Sequence, residues 1–214
     1  NYHGQKRLNF ISKHMRIFAP AQFLDQSTQP HIATLIALAS ISALAMNIFL
    51  PSLPSMAAYY NTTPSIMSLS VAIYLGASAL LQLFSGPISD RIGRRPVILI
   101  SLILFIIASL ATIWAPNAET FLALRFVQAF AATTMVLSRA VVRDTVGKDA
   151  AASKIAYVTM GMAVAPMIGP GIGGYLDKYF GWQAIFVLLA GLGICIFILT
   201  WFDLGETAPK NKTS

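Results

Sequence analysis

The stretch GPISDRIGRRP, residues 86–96, carries four charged residues between two long apolar runs: Asp90, Arg91, Arg94 and Arg95. Only 11% of the 214 residues are charged and 56% are hydrophobic, and the mean hydropathy is +0.68. Soluble domains carry about 25% charged residues, because polar side chains must cover their surface. The composition therefore indicates a chain whose solvent is lipid, in which this charged loop (residues 86–96) is an exception.

Six apolar runs are long enough to cross a membrane as helices, which takes about 20 residues. They cover residues 32–50, 66–86, 97–114, 120–142, 155–176 and 183–202. A spanning backbone must satisfy its own hydrogen bonds, and the alternation of barrel strands is missing. The sequence therefore predicts an all-α integral membrane bundle over 32–203. Residues 1–31 are predicted as an amphipathic helix on the inner leaflet or a disordered tail, and 204–214 as a tail or linker.

Lysine and arginine set the predicted orientation. They crowd the N-terminal segment, the second and fourth connections and the tail, whereas the first and third connections have none and the fifth has only Lys178. The positive-inside rule then places both termini in the cytoplasm. The net charge of +7 reflects this topology, so we expect membrane lipid as a partner and no nucleic acid.

The first three spans resemble the last three, because each set has two spans with polar residues, glycines and prolines, followed by an almost wholly apolar one. The second span ends in Gly86-x-x-x-Asp90-x-x-Gly93, and the fifth ends in Gly173-x-x-x-Asp177-x-x-x-Gly181. These copies fall on opposite faces of the predicted membrane, as in the inverted three-helix repeats of many transporters. Chance similarity is the alternative. The apolar third and sixth spans are expected to face lipid.

Several of these motifs resemble those of the major facilitator superfamily. The charged loop is similar to that family's G-x-x-x-D-R-x-G-R-R/K loop between helices two and three, RFVQAF (125–130) to its helix-four motif, and GPGIGG (169–174) to the helix-five motif of its antiporters. LPSLP (50–54) and SRAVVRD (138–144) resemble the Bcr/CflA group of bacterial drug–proton antiporters. The family has twelve helices in two halves, and this chain resembles the N-terminal six-helix half.

Polar side chains at helical spacing suggest where a transport pathway would run. An arginine within a span costs roughly 2.5–3.5 kcal/mol, so Arg125 is a functional candidate. It either lies with Gln128 in a water-filled cavity or snorkels to the outer interface. A substrate surface is predicted from residues that are each also plausible helix-packing positions: Asn47, Tyr74, Ser78, Gln82 and Met135. The resemblance implies that Arg125 takes part in proton coupling.

Small residues recur at every fourth position of the fifth span, a pattern that lets helix backbones approach closely. The predicted motif consists of Gly161, Ala165, Pro166, Gly169, Pro170, Gly173 and Gly174. The two prolines remove backbone donors and favour kinks. Two interpretations stay open: a bent contact with a second half that controls leak and rocking, or ordinary packing within these six spans.

The resemblance implies export of small amphipathic molecules or drugs across the bacterial inner membrane by alternating access with proton antiport. Its partners would be a small-molecule substrate, protons, and a C-terminal six-helix half or a second copy. It also implies that a cluster around Asp90 latches the two halves, with Arg91, Arg94, Arg139 or Arg143 as its partner. The full set predicted for this latch is Gly86, Asp90, Arg91, Gly93, Arg94, Arg95, Arg139 and Arg143.

One departure from the family concerns the proton. Related antiporters often carry an acid just before the LPSLP-like motif, where this chain has Asn47, and every acid here lies in a tail or near a span end. The proton-binding carboxylate is then expected in the other half or at a rim, or the reaction differs. No enzyme activity, metal or cofactor is expected, since no phosphate-binding loop occurs and no histidine lies within a span. The alternative is an incomplete or self-associating six-helix membrane protein, channel-like or structural, without proton-coupled transport.

Overall fold

The computed structural model describes residues 24–26, 28–146 and 148–207, and its regular structure there is entirely helical. Residues 1–23 of the predicted N-terminal segment and 208–214 of the predicted tail lie outside the described residues. Within the described part, six helical stretches are long and apolar enough to cross a membrane. They are Ile32–Tyr59, Pro64–Ile92, Arg94–Ile113, Ala118–Thr145, Ala150–Phe180 and Gln183–Asp203, called the first to sixth spans below.

The first and fourth spans are interrupted helices. The first consists of helix Ile32–Asn47, a 3₁₀ turn Leu50–Ser52 and helix Leu53–Tyr59. Its break coincides with Pro51, whose missing N–H cannot continue an α-helical ladder. The fourth consists of helices Ala118–Gln128 and Ala131–Thr145, joined by a tightened turn in which the N–H of Ala132 donates to the carbonyl oxygen of Ala129 at 2.9 Å. The other four spans are continuous, at Pro64–Ile92, Arg94–Ile113, Lys148–Phe180 and Gln183–Asp203.

Packing follows the symmetry of an inverted repeat. The first span packs against the fifth and sixth, and the fourth packs in the corresponding way against the second and third. The second and fifth spans also end alike, since each is followed by a glycine with positive φ, Gly93 at 114° and Gly181 at 83°. Such values strain residues that carry a Cβ. The predicted fold class, an all-α membrane bundle of six helices in two inverted three-helix repeats, is confirmed.

The second and fifth spans are the least covered in this bundle. In their most apolar stretches 28% and 17% of residues are buried, against 44% and 33% in the third and sixth spans, which pack on each other. The third and sixth spans still expose large apolar side chains, such as Ile107 and Ile198, so the expectation that they face lipid stays a prediction. An apolar helix surface suits a neighbouring apolar helix as well as it suits lipid.

The bundle has a charged end and a far end. The charged end holds the charged loop, the end of the fourth span, and both the start of the first span and the end of the sixth. The far end holds Asp177, whose Oδ2 accepts a hydrogen bond from Ser55 at 2.5 Å. Asp90 and Asp177, the two aspartates of the repeated Gly–Asp pattern, thus lie at opposite ends of the bundle.

Candidate functional site

Arg125 lies at the centre of a polar cluster formed by the first four spans. Its side chain is 0% exposed, and Nη1 donates to Oε1 of Gln128 at 2.7 Å and to the carbonyl oxygen of Ala45 at 3.3 Å. Gln128 in turn donates from Nε2 to Oγ of Ser109 in the third span at 3.1 Å. Helical i, i+3 spacing brings Arg125 and Gln128 together, as the sequence predicts.

Among the described residues, no carboxylate pairs with Arg125. Both ion pairs found between them involve Arg94. The guanidinium carbon of Arg125 lies 4.2 Å from the ring centroid of Phe49 and 4.5 Å from that of Tyr74, within the range of cation–π attraction. Ala45 lies in the last turn of helix Ile32–Asn47, where carbonyl groups carry partial negative charge. Two aromatic faces and a helix end therefore replace an acid.

The snorkelling interpretation of Arg125 is excluded, because the side chain lies inside the bundle and has no exposed surface. Within the described residues its Nε and Nη2 have no hydrogen-bond partner. Leaving N–H groups of a buried guanidinium unpaired costs free energy, so the arrangement is not explained by stability alone. In this conformation Arg125 is closed off from solvent, and its place in a water-filled cavity stays a prediction.

Of the predicted polar residues of the second span, Tyr74 contacts the first span. The hydroxyl of Tyr74 donates to the carbonyl oxygen of Ser42 and lies 3.1 Å from its Oγ. Ser78 is buried, and its Oγ has no partner among the described residues, whereas Gln82 is half-buried. The structure thus joins Tyr74 to Arg125 but gives no such contact to Gln82.

The remaining residues of the predicted substrate surface lie on the first and fourth spans. Asn47 donates from Nδ2 to the carbonyl oxygen of Ala43 in its own helix at 2.7 Å. Met135 is half-buried against the apolar core. Neither is joined to Arg125 by a hydrogen bond in the structure. A substrate surface that combines them with Tyr74, Ser78 and Gln82 stays a prediction.

Arg94 is the centre of the charged end. It is 8% exposed, and its guanidinium pairs with Asp90 at 2.6 Å through Nη2 and with Asp144 of the fourth span at 3.0 Å through Nε. Nη1 also donates to Oγ of Ser89. The sequence named Arg94 among four partners for Asp90, and the two residues lie four positions apart on either side of the helix break at Gly93. Asp144 was not predicted as a partner, because nothing local in the sequence connects it to the loop.

Glu206 caps the helix that begins at Arg94. Its Oε1 accepts the backbone N–H of Arg94 at 2.8 Å, at a helix start whose N–H groups have no intrahelical acceptors. Gly93 makes room for this contact, because a Cβ at that position would collide with the carboxylate of Glu206. The φ of 114° at Gly93, between the second and third spans, lies in a region that favours glycine. The contribution of Glu206 was not foreseen.

The other predicted arginines are arranged differently. Arg95 donates from Nη2 to the carbonyl oxygen of Trp201 at 3.0 Å, and its guanidinium lies 5.2 Å from the Trp201 ring centroid. Arg91 and Arg143 are exposed and Arg139 is half-buried. With another described residue, none of these three forms an ion pair. Their part in a latch stays a prediction.

The small residues of the fifth span pack against the first span. A Cβ on Gly173 would collide with the carbonyl oxygen of Ile48, and one on Gly169 would lie 3.2 Å from the Leu44 side chain. Gly161 packs in the same way on Ile36. At these glycines the close contact lies within the six spans, which favours the second of the two interpretations given above.

The other members of the predicted motifs differ in how closely they are packed. Ala165 is buried, whereas Pro166 is exposed and Pro170 half-buried inside a continuous helix. A Cβ on Gly174 would meet Pro51 at an ordinary 3.7 Å. At Gly86 it would meet nothing within 4 Å among the described residues, so close packing at Gly86 is not found there.

Asp203 is a buried carboxylate that is not among the predicted site residues. It lies at the end of a span, as noted from the sequence, but it is 0% exposed. Its Oδ1 accepts the N–H of Leu24 at 3.0 Å, and its Oδ2 accepts the N–H of His31 at 2.8 Å and the hydroxyl of Thr34 at 2.6 Å. The expectation that this half holds no buried carboxylate is therefore wrong at the charged end.

Comparison with known proteins identifies the family of this chain. The family model described as Major Facilitator Superfamily matches residues 35–214. The Bicyclomycin resistance protein homolog of Haemophilus influenzae is 33% identical over 189 residues, which cover 88% of this chain and 48% of that protein. Multidrug resistance protein MdtL of Vibrio parahaemolyticus is 30% identical, over 82% of this chain and 45% of that protein.

A third relative, the Chloramphenicol resistance protein of Pseudomonas aeruginosa, is 38% identical over 72% of this chain and 37% of its own length. The chain thus spans about half the length, or less, of the curated relatives it matches. The family match covers five of the six spans completely and nearly all of the first. The chain is therefore a multi-pass membrane protein, and we conclude that it belongs to the major facilitator superfamily.

Proposed function

We propose that the chain is the N-terminal six-helix half of an exporter in the bacterial inner membrane, which moves small amphipathic compounds outward by alternating access. The observation that carries this proposal is the buried Arg125 cluster, which joins four spans without a carboxylate. A charged side chain at membrane depth is costly and typical of transport pathways. The names of three relatives, which refer to bicyclomycin, multidrug and chloramphenicol resistance, support drug-like substrates.

The charged end would act as the conformational latch on the cytoplasmic side, with both termini in the cytoplasm. Arg94 is bound by Asp90 and Asp144, and the side chain of Asp90 is 55% exposed. An ion pair with an exposed partner is worth about 0–1 kcal/mol, so it breaks and reforms at little cost. We assign Asp90 the changing contact and Asp144 the constant one. Gly86, Arg91, Arg95, Arg139 and Arg143 complete the proposed latch.

The partner of this half would cover the second and fifth spans. Large apolar side chains on these spans are strongly exposed, among them Leu83 at 71% and Met167 at 81%. A C-terminal six-helix half or a second copy of the chain would bury them. Since the Arg125 cluster contains no acid, the same partner would supply the membrane-buried carboxylate that proton antiport requires.

Transport in inside-out vesicles tests this proposal. The chain is expressed with any sequence that continues its reading frame, and uptake of a fluorescent amphipathic dye is followed after the vesicle interior is made acidic. Uptake that a protonophore abolishes is expected. Dye uptake at the same rate with and without the pH gradient would exclude proton antiport. If Arg125→Gln and wild-type vesicles show the same flux as empty ones, the self-associating, non-transporting alternative is favoured.

A further inference from the structure

Residues 203–206 connect two parts of the charged end that are far apart in sequence. At one end of these residues Asp203 binds Leu24, His31 and Thr34, and at the other end Glu206 caps Arg94. The backbone between them packs directly on the N-terminal segment, because a Cβ on Gly205 would collide with the carbonyl oxygen of Gln26. Residues 203–206 therefore contact both the charged loop and the described residues of the segment 24–34.

A second link runs through one backbone atom at the end of the sixth span. The carbonyl oxygen of Trp201 accepts from Nε2 of Gln26 at 2.5 Å and from Nη2 of Arg95 at 3.0 Å. The segment 24–34 and the charged loop thus share an acceptor, independently of Asp203 and Glu206. A displacement of the end of the sixth span would disturb both sets of contacts together.

Asp203 contributes most to this arrangement, because its carboxylate is buried and binds three donors. Hydrogen bonds to an ionised acceptor are roughly twice as strong as neutral ones, and a buried carboxylate is tolerated only when it is well solvated by donors. Two of the three donors are backbone N–H groups at or before the start of the first span, where helical acceptors are missing. Without the carboxylate these donors would lose their partner.

We propose that Asp203 is a positioning residue for the charged loop. Asp203 holds the segment 24–34 against the sixth span. This contact fixes the position of residues 203–206, so that Glu206 caps Arg94. The attachment of the N-terminal segment then controls the stability of the helix start that carries the latch. This inference rests on the proposed function only in that the latch belongs to a transport cycle, since the contacts themselves are independent of transport.

Hydrogen exchange of the full chain in lipid nanodiscs tests the proposal, with mass spectrometry of peptides that cover 24–31 and 93–95. Asp203→Asn replaces an acceptor oxygen by an amide donor at unchanged size. We expect exchange of the Leu24 and His31 amides, and also of the Arg94 amide, to accelerate on the order of tenfold, because a hydrogen bond to a charged group is lost. Glu206→Gln should accelerate exchange at 93–95 only.

Two further variants and one control variant keep the test decisive if Asp203→Asn fails to fold. Thr34→Val removes one donor to Asp203 whereas Thr34→Ser keeps it, and Gly205→Ala places a Cβ on the Gln26 carbonyl without changing charge. Thr34→Val and Gly205→Ala should accelerate exchange in both peptides, and Thr34→Ser in neither. An unchanged Arg94 amide alongside faster exchange at 24–31 would show that Asp203 only caps the first span. Because no transport is measured, failure of the proposed function leaves this result unaffected.

Discussion

Arg94 and Asp144 form a hydrogen-bonded ion pair of 3.0 Å across 50 residues of sequence. The side chain of Asp144 is 17% exposed, whereas that of Asp90, the other partner of Arg94, is 55% exposed. Solvent screens an ion pair with an exposed partner, so the longer pair with Asp144 contributes more to stability. The charged loop is consequently held mainly by the fourth span.

Asp144→Asn and Asp90→Asn should therefore differ in stability. Removing Asp144 leaves a buried guanidinium with a weaker set of acceptors, and we expect the free energy of unfolding to fall by about 3 kcal/mol. Removing Asp90 should lower it by about 1 kcal/mol or less. Thermal unfolding of the purified variants in one detergent measures both. Equal losses of unfolding free energy in the two variants would show that solvent exposure does not decide which ion pair contributes more to stability.

Asp90→Asn should nevertheless impair transport while insertion and topology stay intact. A latch needs a contact that breaks and reforms. The Asp90–Arg94 ion pair is suited to this role because the side chain of Asp90 is exposed. Vesicle uptake, together with a reporter of the position of the termini, separates the two effects. Unaltered export by this variant would mean that the arginines only anchor the topology.

Gly173→Ala and Gly171→Ala form a matched pair in the fifth span. The new Cβ at Gly173 collides with the backbone carbonyl of Ile48, which cannot move aside as a side chain could. We expect a loss of about 1–3 kcal/mol, as for other overpacked sites. At Gly171 nothing lies within 4 Å among the described residues, so alanine should be neutral or stabilise the helix by up to about 1 kcal/mol. Thermal unfolding gives the sign of each effect, and the same sign for both would refute the assigned packing.

Gly93→Ala and Gly86→Ala form a second pair, at the charged loop. Alanine at Gly93 must adopt a φ of 114° and displace Glu206, and strain of this kind costs about 1–3 kcal/mol. Gly86 is helical with open surroundings in the described structure, so alanine there should not destabilise the isolated chain. Unfolding temperatures of the two variants provide the measurement. A stable Gly93→Ala protein would contradict the cap by Glu206.

Gln128→Glu would give Arg125 the carboxylate that it lacks. A glutamate oxygen at the position of Gln128 Oε1, 2.7 Å from Nη1 of Arg125, forms a charge-assisted hydrogen bond worth about 1.5–3 kcal/mol. We expect a higher unfolding temperature and reduced transport, because the guanidinium is held in one state. Gln82→Glu, on the half-buried side of the second span, is the control and should not stabilise. Faster transport by Gln128→Glu would exclude a moving charge at Arg125.

Much of this arrangement follows from spacing along single helices. Hydropathy locates the spans, and helical periodicity brings Gln128 to Arg125. The positions of Phe49 and Tyr74 around Arg125 could not be predicted, because these residues belong to other spans. Periodicity identifies the polar or small face of a helix but not the neighbour that the face meets.

The charged end shows the same limit. Asp144 and Glu206 reach Arg94 from 50 and 112 residues away, and no local pattern encodes such contacts. Gly86 and Gly173 occupy equivalent places in the repeated motif, yet only Gly173 packs on a neighbouring backbone in the described structure.

The partners of Arg125 also bear on how the chain enters the membrane during synthesis. Ala45, Phe49, Tyr74 and, through Gln128, Ser109 all precede Arg125 in the sequence. Since a chain emerges from the ribosome with its N-terminus first, every stabilising group outside the fourth span is already made when that span arrives. The cost of inserting a guanidinium is then offset by the earlier spans, and Tyr74→Leu or Phe49→Leu should lower the yield of inserted protein before any transport is measured.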